Sequence, residues 1–250
     1  MVIERLFSRA WLPTTILVIL ASLVCIRLGI WQLNRLEGRR VFNTQVQAMR
    51  DLTELNLGIE QNTSSLAEME WRAVTATGNY DYDHQVALRN QYHGEEYGYH
   101  LITPLILSNS MAILVDRGWI PATDNATPSD WRRYDEPDVV NVAGQIRVGS
   151  AKPAFGGLAD PTQSSPHEKL EFWNNLDVMR ISLQIPYPIL NVYIQLNENA
   201  NDQTPPIPYQ PEVDLTEGPH FGYALQWFTF ATILLIGYPF YLRGQKTKNK

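Results

Sequence analysis

The residues best placed to do chemistry lie at the start of an apolar stretch near the C-terminus. His220, Tyr223, Ala224 and Trp227 are spaced by three and four residues, so on a helix they share one face. Pro219 suits a first helical turn, and a helix N-terminus disfavours protonated imidazole. A neutral imidazole beside a flat aromatic surface can bind the iron of a planar macrocycle, with His220 as axial ligand. The alternative interpretation is an aromatic belt at a membrane interface that includes His220 without using it.

A second group of polar side chains lies in an apolar stretch near the N-terminus. Arg27, Trp31 and Arg35 are four residues apart and share a helix face. Arg27 lies within an otherwise apolar run, where a charged side chain extends to the lipid headgroups or meets an anionic partner. We therefore expect either that Arg27 snorkels or meets an anionic group on the second stretch, or that Arg27 or Arg35 pairs with a carboxylate of a cofactor.

The rest of the sequence gives no sign of catalytic machinery. The sequence motifs of zinc peptidases, serine hydrolases and phosphate-binding loops are not found. The remaining histidines lack metal-ligand spacing; they are His84, His93, His100 and His167. The single cysteine, Cys25, rules out an internal disulfide and a Cys-x-x-Cys site. We expect a protein that is not an enzyme.

Two segments are long and apolar enough to cross a membrane. Residues 11–33 carry Arg27 as their one charge, and residues 221–242 carry none. At ~1.5 Å per residue, a helix of either segment crosses a hydrocarbon layer of about 30 Å. Acidic residues precede the second segment and basic residues follow it, which predicts that both termini are cytoplasmic. Four arginines at the far end of the first segment favour the opposite orientation, which suggests a role outside topology: Arg27, Arg35, Arg39 and Arg40.

Between the spans, the sequence predicts one extramembrane α+β domain, mainly antiparallel β with one or two helices. Strand patterns occupy residues 71–78, 85–90, 99–107, 111–117, 139–148 and 190–196, with a hairpin turn at 108–110. A helical period covers residues 170–185, with Leu176, Met179 and Leu183 recurring on its apolar face. Residues 34 to about 62 are polar, and we expect them to continue the first helix and to form a short linker. The predicted organisation is a tail at 1–10, a transmembrane helix at 11–33, the domain at 34–219, a second transmembrane helix at 220–242 and a basic tail at 243–250.

Charge is distributed unevenly along the chain. The net charge is −6, but residues 41–217 contain 10 Lys and Arg against 24 Asp and Glu, a balance of −14, and the two ends together carry +8. An acidic domain repels phosphate backbones, so nucleic-acid binding is not expected.

Four motifs follow one another along the chain: LGIWQLNR at the end of the first span, GYHLITPL, ILVDRGWIP, and HFGYALQWF at the start of the second span. In this order, with a span at each end, they resemble the surfeit locus protein 1 family of cytochrome c oxidase assembly factors. The resemblance reaches from Leu28 to Phe228. It implies a non-enzymatic role in the maturation of oxidase subunit I.

The resemblance also implies a cofactor and partners. Bacterial members of the family are linked to heme a binding and insertion, and His220 and Trp227 match the proposed heme contacts. The implied partners are oxidase subunit I and membrane lipid, with heme a synthase as a further candidate. A bacterial cell membrane is expected, because no Arg- and Ser-rich presequence precedes the first span. The alternative hypothesis is a scaffold that stabilises subunit I without binding heme.

Overall fold

The computed structural model describes residues 2–58, 65–153, 156–161, 169–198, 204–210 and 212–245. The chain forms two compact units, one of Met1–Gln45 with Val213–Lys250 and one of Val46–Glu212. Part of the predicted linker, at 59–64, and most of the basic tail, at 246–250, lie outside the described residues.

In chain order the elements are α1 (Val2–Leu6), α2 (Leu12–Arg50), β1 (Leu55–Asn56), β2 (Ala73–Tyr80), β3 (Val86–His93), β4 (Glu96–Leu107), β5 (Ala112–Pro121), α3 (Pro128–Trp131), β6 (Val140–Arg147), β7 (Phe172–Trp173), α4 (Val178–Ser182), β8 (Ile189–Leu196), α5 (His220–Thr232) and α6 (Tyr238–Gly244). Short 3-10 turns lie at Leu66–Met69, Tyr82–His84 and Arg132–Tyr134, and a π-helical turn at Ile233–Gly237 joins α5 to α6.

Among the described residues, two helical stretches are long and apolar enough to cross a membrane. They are Leu12–Arg50 and His220–Gly244, with mean hydropathies of 2.2 and 1.3 in their most apolar windows. Only 22% and 11% of those windows is buried inside the protein, so most of the apolar side chains face outward. Both predicted spans lie on these helices, and α2 continues beyond residue 33, as expected for the polar region that follows.

Five strands of the second unit close into a barrel. The ring runs β2–β6–β8–β5–β4 and back to β2, and the β5–β8 pairing is parallel while the other four are antiparallel. Closure leaves no free edge between these strands. The barrel closes where Gly78 of β2 meets Leu107 of β4; a Cβ at Gly78 would lie 2.2 Å from the Ile106 carbonyl oxygen. The prediction of a mainly antiparallel domain is confirmed, but the sequence did not predict the closure.

The hydrophobic core fills the barrel and extends beyond it. Alternate residues of each strand point inward, as the period of two requires. The interior contains Val74, Leu105, Ile113, Val115, Ile146 and Ile194. Other buried side chains pack on the outer face of β3, β4 and β5, and they include Ile102, Leu114, Trp173 and Ile181.

The helix predicted over residues 170–185 is wrong for most of its length. The structure has the short strand β7, which pairs in parallel with β3, and then the five residues of α4. Trp173 is fully buried and donates from Nε1 to the Leu170 carbonyl, while Asp177 caps α4 by accepting from the Arg180 N–H. Leu183, a residue of the predicted apolar face, is 77% exposed, so the helical spacing did not indicate which side chains are buried.

Candidate functional site

The candidate site lies in the first unit, where α2 packs along α5 and α6. Residues of α2 that are spaced by seven form the buried side of this helix: Thr15, Ser22, Gly29, Leu36 and Asn43. On α5 the buried residues Ala224 and Ala231 are also seven apart. A period of seven with small residues is typical of closely packed helix pairs. We call this buried line of contact the seam.

Side chains of α5 and α6 contact α2 at several points along its length. A Cβ at Gly29 would lie 2.7 Å from the ring of Phe228, so a larger residue there would displace that ring. Farther along the helices, Thr15 Oγ1 and Tyr238 Oη are 2.8 Å apart, and Trp11 meets Tyr241 edge to face at 6.2 Å between ring centroids. These contacts fix the register in which α5 and α6 lie along α2.

His220 is tied to the first helix by a hydrogen bond across the seam. Its Nδ1 lies 2.8 Å from Oε1 of Gln32, and both side chains are half-buried. In the described part of the chain, Nε2 of His220 has no hydrogen-bond partner. One ring nitrogen is therefore engaged, and the other is available to a ligand.

The space around Nε2 contains little protein. Gly218 has φ of +68°, a left-handed conformation that favours glycine, and a Cβ there would lie 3.6 Å from Nε2. Gly218 thus leaves free a space beside Nε2 that a side chain would enter. This opening, together with a half-buried imidazole, fits an axially ligated macrocycle.

The aromatic residues of the predicted face are arranged along α5. Trp227 is half-buried and meets Phe230 edge to face at 6.0 Å, whereas Tyr223 is 46% exposed and points farther from the seam. Trp227 lies about 10 Å along the helix axis from His220, since each residue rises ~1.5 Å. The two side chains therefore flank one side of α5 without touching each other.

The segment before His220 is held to α2 by three polar side chains. Arg39 donates to the carbonyl oxygens of Asp214 and Thr216, and Asn43 donates to that of Leu215. Arg40 donates from Nε and Nη2 to the two carboxylate oxygens of Glu217 at 2.8 and 3.0 Å. We call these contacts the arginine clamp. The hydrogen bond from Arg40 lowers the pKa of Glu217, so the pair is charged at neutral pH.

The arginine clamp gives Arg39 and Arg40 a role other than topology, as the sequence suggested for the four arginines at the end of the first apolar segment. The other two, Arg27 and Arg35, are exposed and, within the described residues, have no hydrogen bond or ion pair. Arg27 is two residues from Gly29, about 200° around the helix, so it faces away from the seam. The expected anionic partner of Arg27 on the second helix is therefore wrong; snorkelling or a partner outside the chain remains.

The motif Asp116-Arg117-Gly118-Trp119 lies in the second unit and organises its fold. Asp116 accepts from the buried His100 at 3.0 Å and from the Gly118 N–H at 3.1 Å. The guanidinium of Arg117 is buried between the rings of Tyr80 and Tyr82 and bonds Glu136 at 2.8 Å. We find no group of three or more metal-ligating side chains among the described residues.

The sequence did not reveal two components of the site. In the sequence, Gln32 stood out only as a member of the motif LGIWQLNR, and Glu217 only as one of the acidic residues before the second apolar segment. Two signals were available in α2: the period of seven from Thr15 to Asn43, and the place of Gln32 between Gly29 and Leu36 in that period. A polar residue on the buried side of an apolar helix indicates a partner on the facing helix.

Comparison with known proteins finds relatives that match nearly the whole chain. The chain is similar to a SURF1-like protein of Mycobacterium tuberculosis, with 26% identity over 236 residues that cover 93% of this chain and 83% of that protein. It is 24% identical over 244 residues to a SURF1-like protein of Rickettsia bellii, covering 95% and 94% of the two chains. A SURF1-like protein of Caenorhabditis elegans is 21% identical over 249 residues, covering 92% and 74%. The model of the SURF1 family matches residues 19–232, which are most of the sequence, and the chain therefore belongs to the SURF1 family.

Proposed function

We propose that this protein is a membrane-bound assembly factor of cytochrome c oxidase that carries heme a for insertion into subunit I, with His220 as the axial ligand. The observation that supports it best is the His220 imidazole, which is held through Nδ1 while Nε2 faces the space left free by Gly218. Membership of the SURF1 family, together with the role that the resemblance to oxidase assembly factors implies, supports the same function. No catalytic step is part of the proposal.

The location of His220 suits a cargo that is partly apolar. It begins a helix that is long and apolar enough to cross a membrane, so it would lie at one boundary of the lipid. Heme a has an isoprenoid tail and two propionates. At such a boundary the tail can remain in lipid while the propionates face water or the side chain of Arg35.

A carrier must also release its cargo. A single protein ligand binds iron more weakly than two, and the described residues place no second histidine on α5 or α2. Trp227 would contribute an aromatic wall and Tyr223 a polar aromatic edge, neither of which is a strong iron ligand. Release to subunit I would then require the replacement of only one bond to iron.

The proposed topology follows from the charges beside the spans. Both termini lie in the cytoplasm of a bacterial cell, and the acidic barrel lies on the outer side of the inner membrane. On that side the protein would meet oxidase subunit I, and heme a synthase is the candidate donor of heme.

Purification from cells that make heme a tests the proposal. The wild-type chain, extracted in detergent, should carry a heme a absorption spectrum, and His220→Ala should lose most of it. Gln226→Ala is a matched control, because Gln226 is exposed and lies two residues from the buried Ala224, on the opposite side of α5. Full heme occupancy in His220→Ala would exclude His220 as the ligand.

The same preparation separates the carrier from the scaffold. Co-purification of oxidase subunit I with a wild-type chain that contains no chromophore would support the scaffold and refute heme binding. Loss of the spectrum in His220→Ala with subunit I still bound would show that the two properties are separable.

A further inference from the structure

The hydrogen bond between Gln32 and His220 joins two polar side chains that are 188 residues apart in sequence. Gln32 lies on α2 three residues after Gly29 and four before Leu36, two buried positions of the seam. Inside an apolar helix pair, an amide has few other partners. The contact is therefore specific to the way in which these helices face each other.

The chemistry of this contact determines which nitrogen of His220 is free. The amide oxygen of Gln32 can only accept a hydrogen bond, so the nitrogen that faces it must carry the proton. Neutral imidazole has one N–H, and with that proton on Nδ1 the lone pair is on Nε2. Nε2 is the nitrogen that faces the space left free by Gly218.

We propose that Gln32 is a positioning residue for His220: it selects the Nδ1–H tautomer and holds the ring so that the Nε2 lone pair faces the iron. This inference rests on the proposed function, in which His220 is the axial ligand. Histidines that bind metals generally donate their other N–H to an oxygen of the protein, and loss of that oxygen lowers metal affinity about 10–100-fold. Gln32 supplies such an oxygen from the other helix.

The opposite arrangement makes the inference testable. If the amide NH₂ of Gln32 donated to Nδ1, the proton of His220 would be on Nε2, and that nitrogen would have no lone pair for iron. The contact would then stabilise the helix pair but oppose ligation.

Nitrogen NMR of the heme-free protein distinguishes the two arrangements. The full chain is labelled with ¹⁵N-histidine, kept in detergent at a pH where imidazole is neutral, and His220 is assigned by the signals missing from His220→Asn. We expect a protonated Nδ1 and an unprotonated Nε2 in the wild type, and loss of this preference in Gln32→Leu. A wild-type His220 with its proton on Nε2 would overturn the inference.

Titration with hemin measures the consequence for binding. Gln32→Leu should bind hemin about 10–100-fold more weakly than the wild type. Gln32→Glu keeps an acceptor oxygen, so it should retain binding and, because a carboxylate makes the imidazole more electron-rich, lower the reduction potential of the iron. Asn34→Leu is the matched control, since Asn34 is exposed and on the opposite side of α2 from Gln32.

The outcomes separate the two proposals. If hemin binding depends on His220 but neither the tautomer nor the affinity responds to Gln32→Leu, the positioning role is wrong and the proposed function stands. If the wild type binds no hemin, both are overturned. In a further outcome, Gln32→Leu lowers the affinity for hemin without changing the tautomer of His220, while Gln32→Glu leaves the reduction potential of the iron unchanged. That result would overturn the positioning role and mean that Gln32 only supports the packing of the helices.

Discussion

Arg40 and Glu217 form a two-point ion pair, with Nε and Nη2 of the arginine donating to both carboxylate oxygens at 2.8 and 3.0 Å, although 177 residues separate them. Glu217 lies three residues before His220. The pair therefore connects the polar end of α2 to the start of α5, and it explains why arginines remain where positive-inside reasoning would not place them.

Charge reversal tests whether the clamp positions the site. Arg40→Glu should loosen the segment before α5 and reduce hemin affinity by up to about fivefold, because exposed ion pairs are weak and screened by salt. The double variant Arg40→Glu with Glu217→Arg should restore most of it. Since the pair lowers the pKa of Glu217, its effect is complete above the ordinary glutamate pKa of 4.5 and is lost as the pH falls through the lowered value. An equal loss in the single and double variants would contradict the pairing.

A larger side chain at Gly29 should displace the ring of Phe228 and weaken the helix pair. A Cβ there would lie 2.7 Å from the Phe228 ring, so Gly29→Leu should destabilise the helix pair by about 1–3 kcal/mol through overpacking. Thermal unfolding in detergent measures the change, and Phe228→Ala should relieve part of it. Gly38→Ala is the control: no atom lies within 4 Å of a Cβ at that position, and the substitution should stabilise α2 by roughly 0.5–1 kcal/mol. Equal effects of the two glycine substitutions would show that Phe228 does not limit the seam.

The elements could be predicted from sequence wherever one local rule decided the outcome. An apolar run long enough to cross a membrane identifies α2 and α5, and alternation with a turn at Ser108-Asn109-Ser110 identifies the hairpin of β4 and β5. The helix predicted over residues 170–185 is wrong for most of its length because the three apolar residues with helical spacing do not form one buried face. Leu176 is buried, whereas Met179 and Leu183 are exposed.

Other features depend on contacts between distant residues, which spacing cannot reveal. Closure of the barrel requires β2 to pair with both β4 and β6, and the seam requires Gln32 to meet His220. The sequence identified His220, Tyr223 and Trp227 as one face of a helix. It could not indicate that α2 would engage one nitrogen of His220, that Arg27 would face away from the seam, or that Arg35 would be exposed.

Cysteine labelling tests the proposed topology. Cys25 is the single cysteine and is free, so Cys25→Ser provides a background without thiols. Ser108→Cys in the exposed hairpin turn should react with a membrane-impermeant maleimide applied to the outer side of intact inner membranes. Gln245→Cys at the exposed end of α6 should react only after the membrane is opened. The reverse pattern would invert the proposed orientation.

The buried pair of His100 and Asp116 predicts how stability depends on pH. Both side chains are almost fully buried, and Nδ1 of His100 lies 3.0 Å from Oδ2 of Asp116. Burial lowers the pKa of His100, but the charge and hydrogen bond of Asp116 raise it more, and the net shift is upward. The charged pair should therefore stabilise the fold fully below the unfolded-state pKa of 6.5, and this stabilisation should be lost as the pH rises through the raised folded-state value.

Asp116→Asn removes the charge that keeps His100 protonated. Breaking a buried ion pair by removing one partner costs about 3–5 kcal/mol, so the variant should be less stable than the wild type by an amount that is largest in acid and falls above pH 6.5. Thermal unfolding of the full chain in detergent across that pH range measures the difference. His100→Asn has no imidazole to titrate, so its stability should not show the decline that the wild type shows as the pH rises. A difference between wild type and Asp116→Asn that grows as the pH rises would have the wrong sign, and it would mean that His100 is buried as the neutral imidazole.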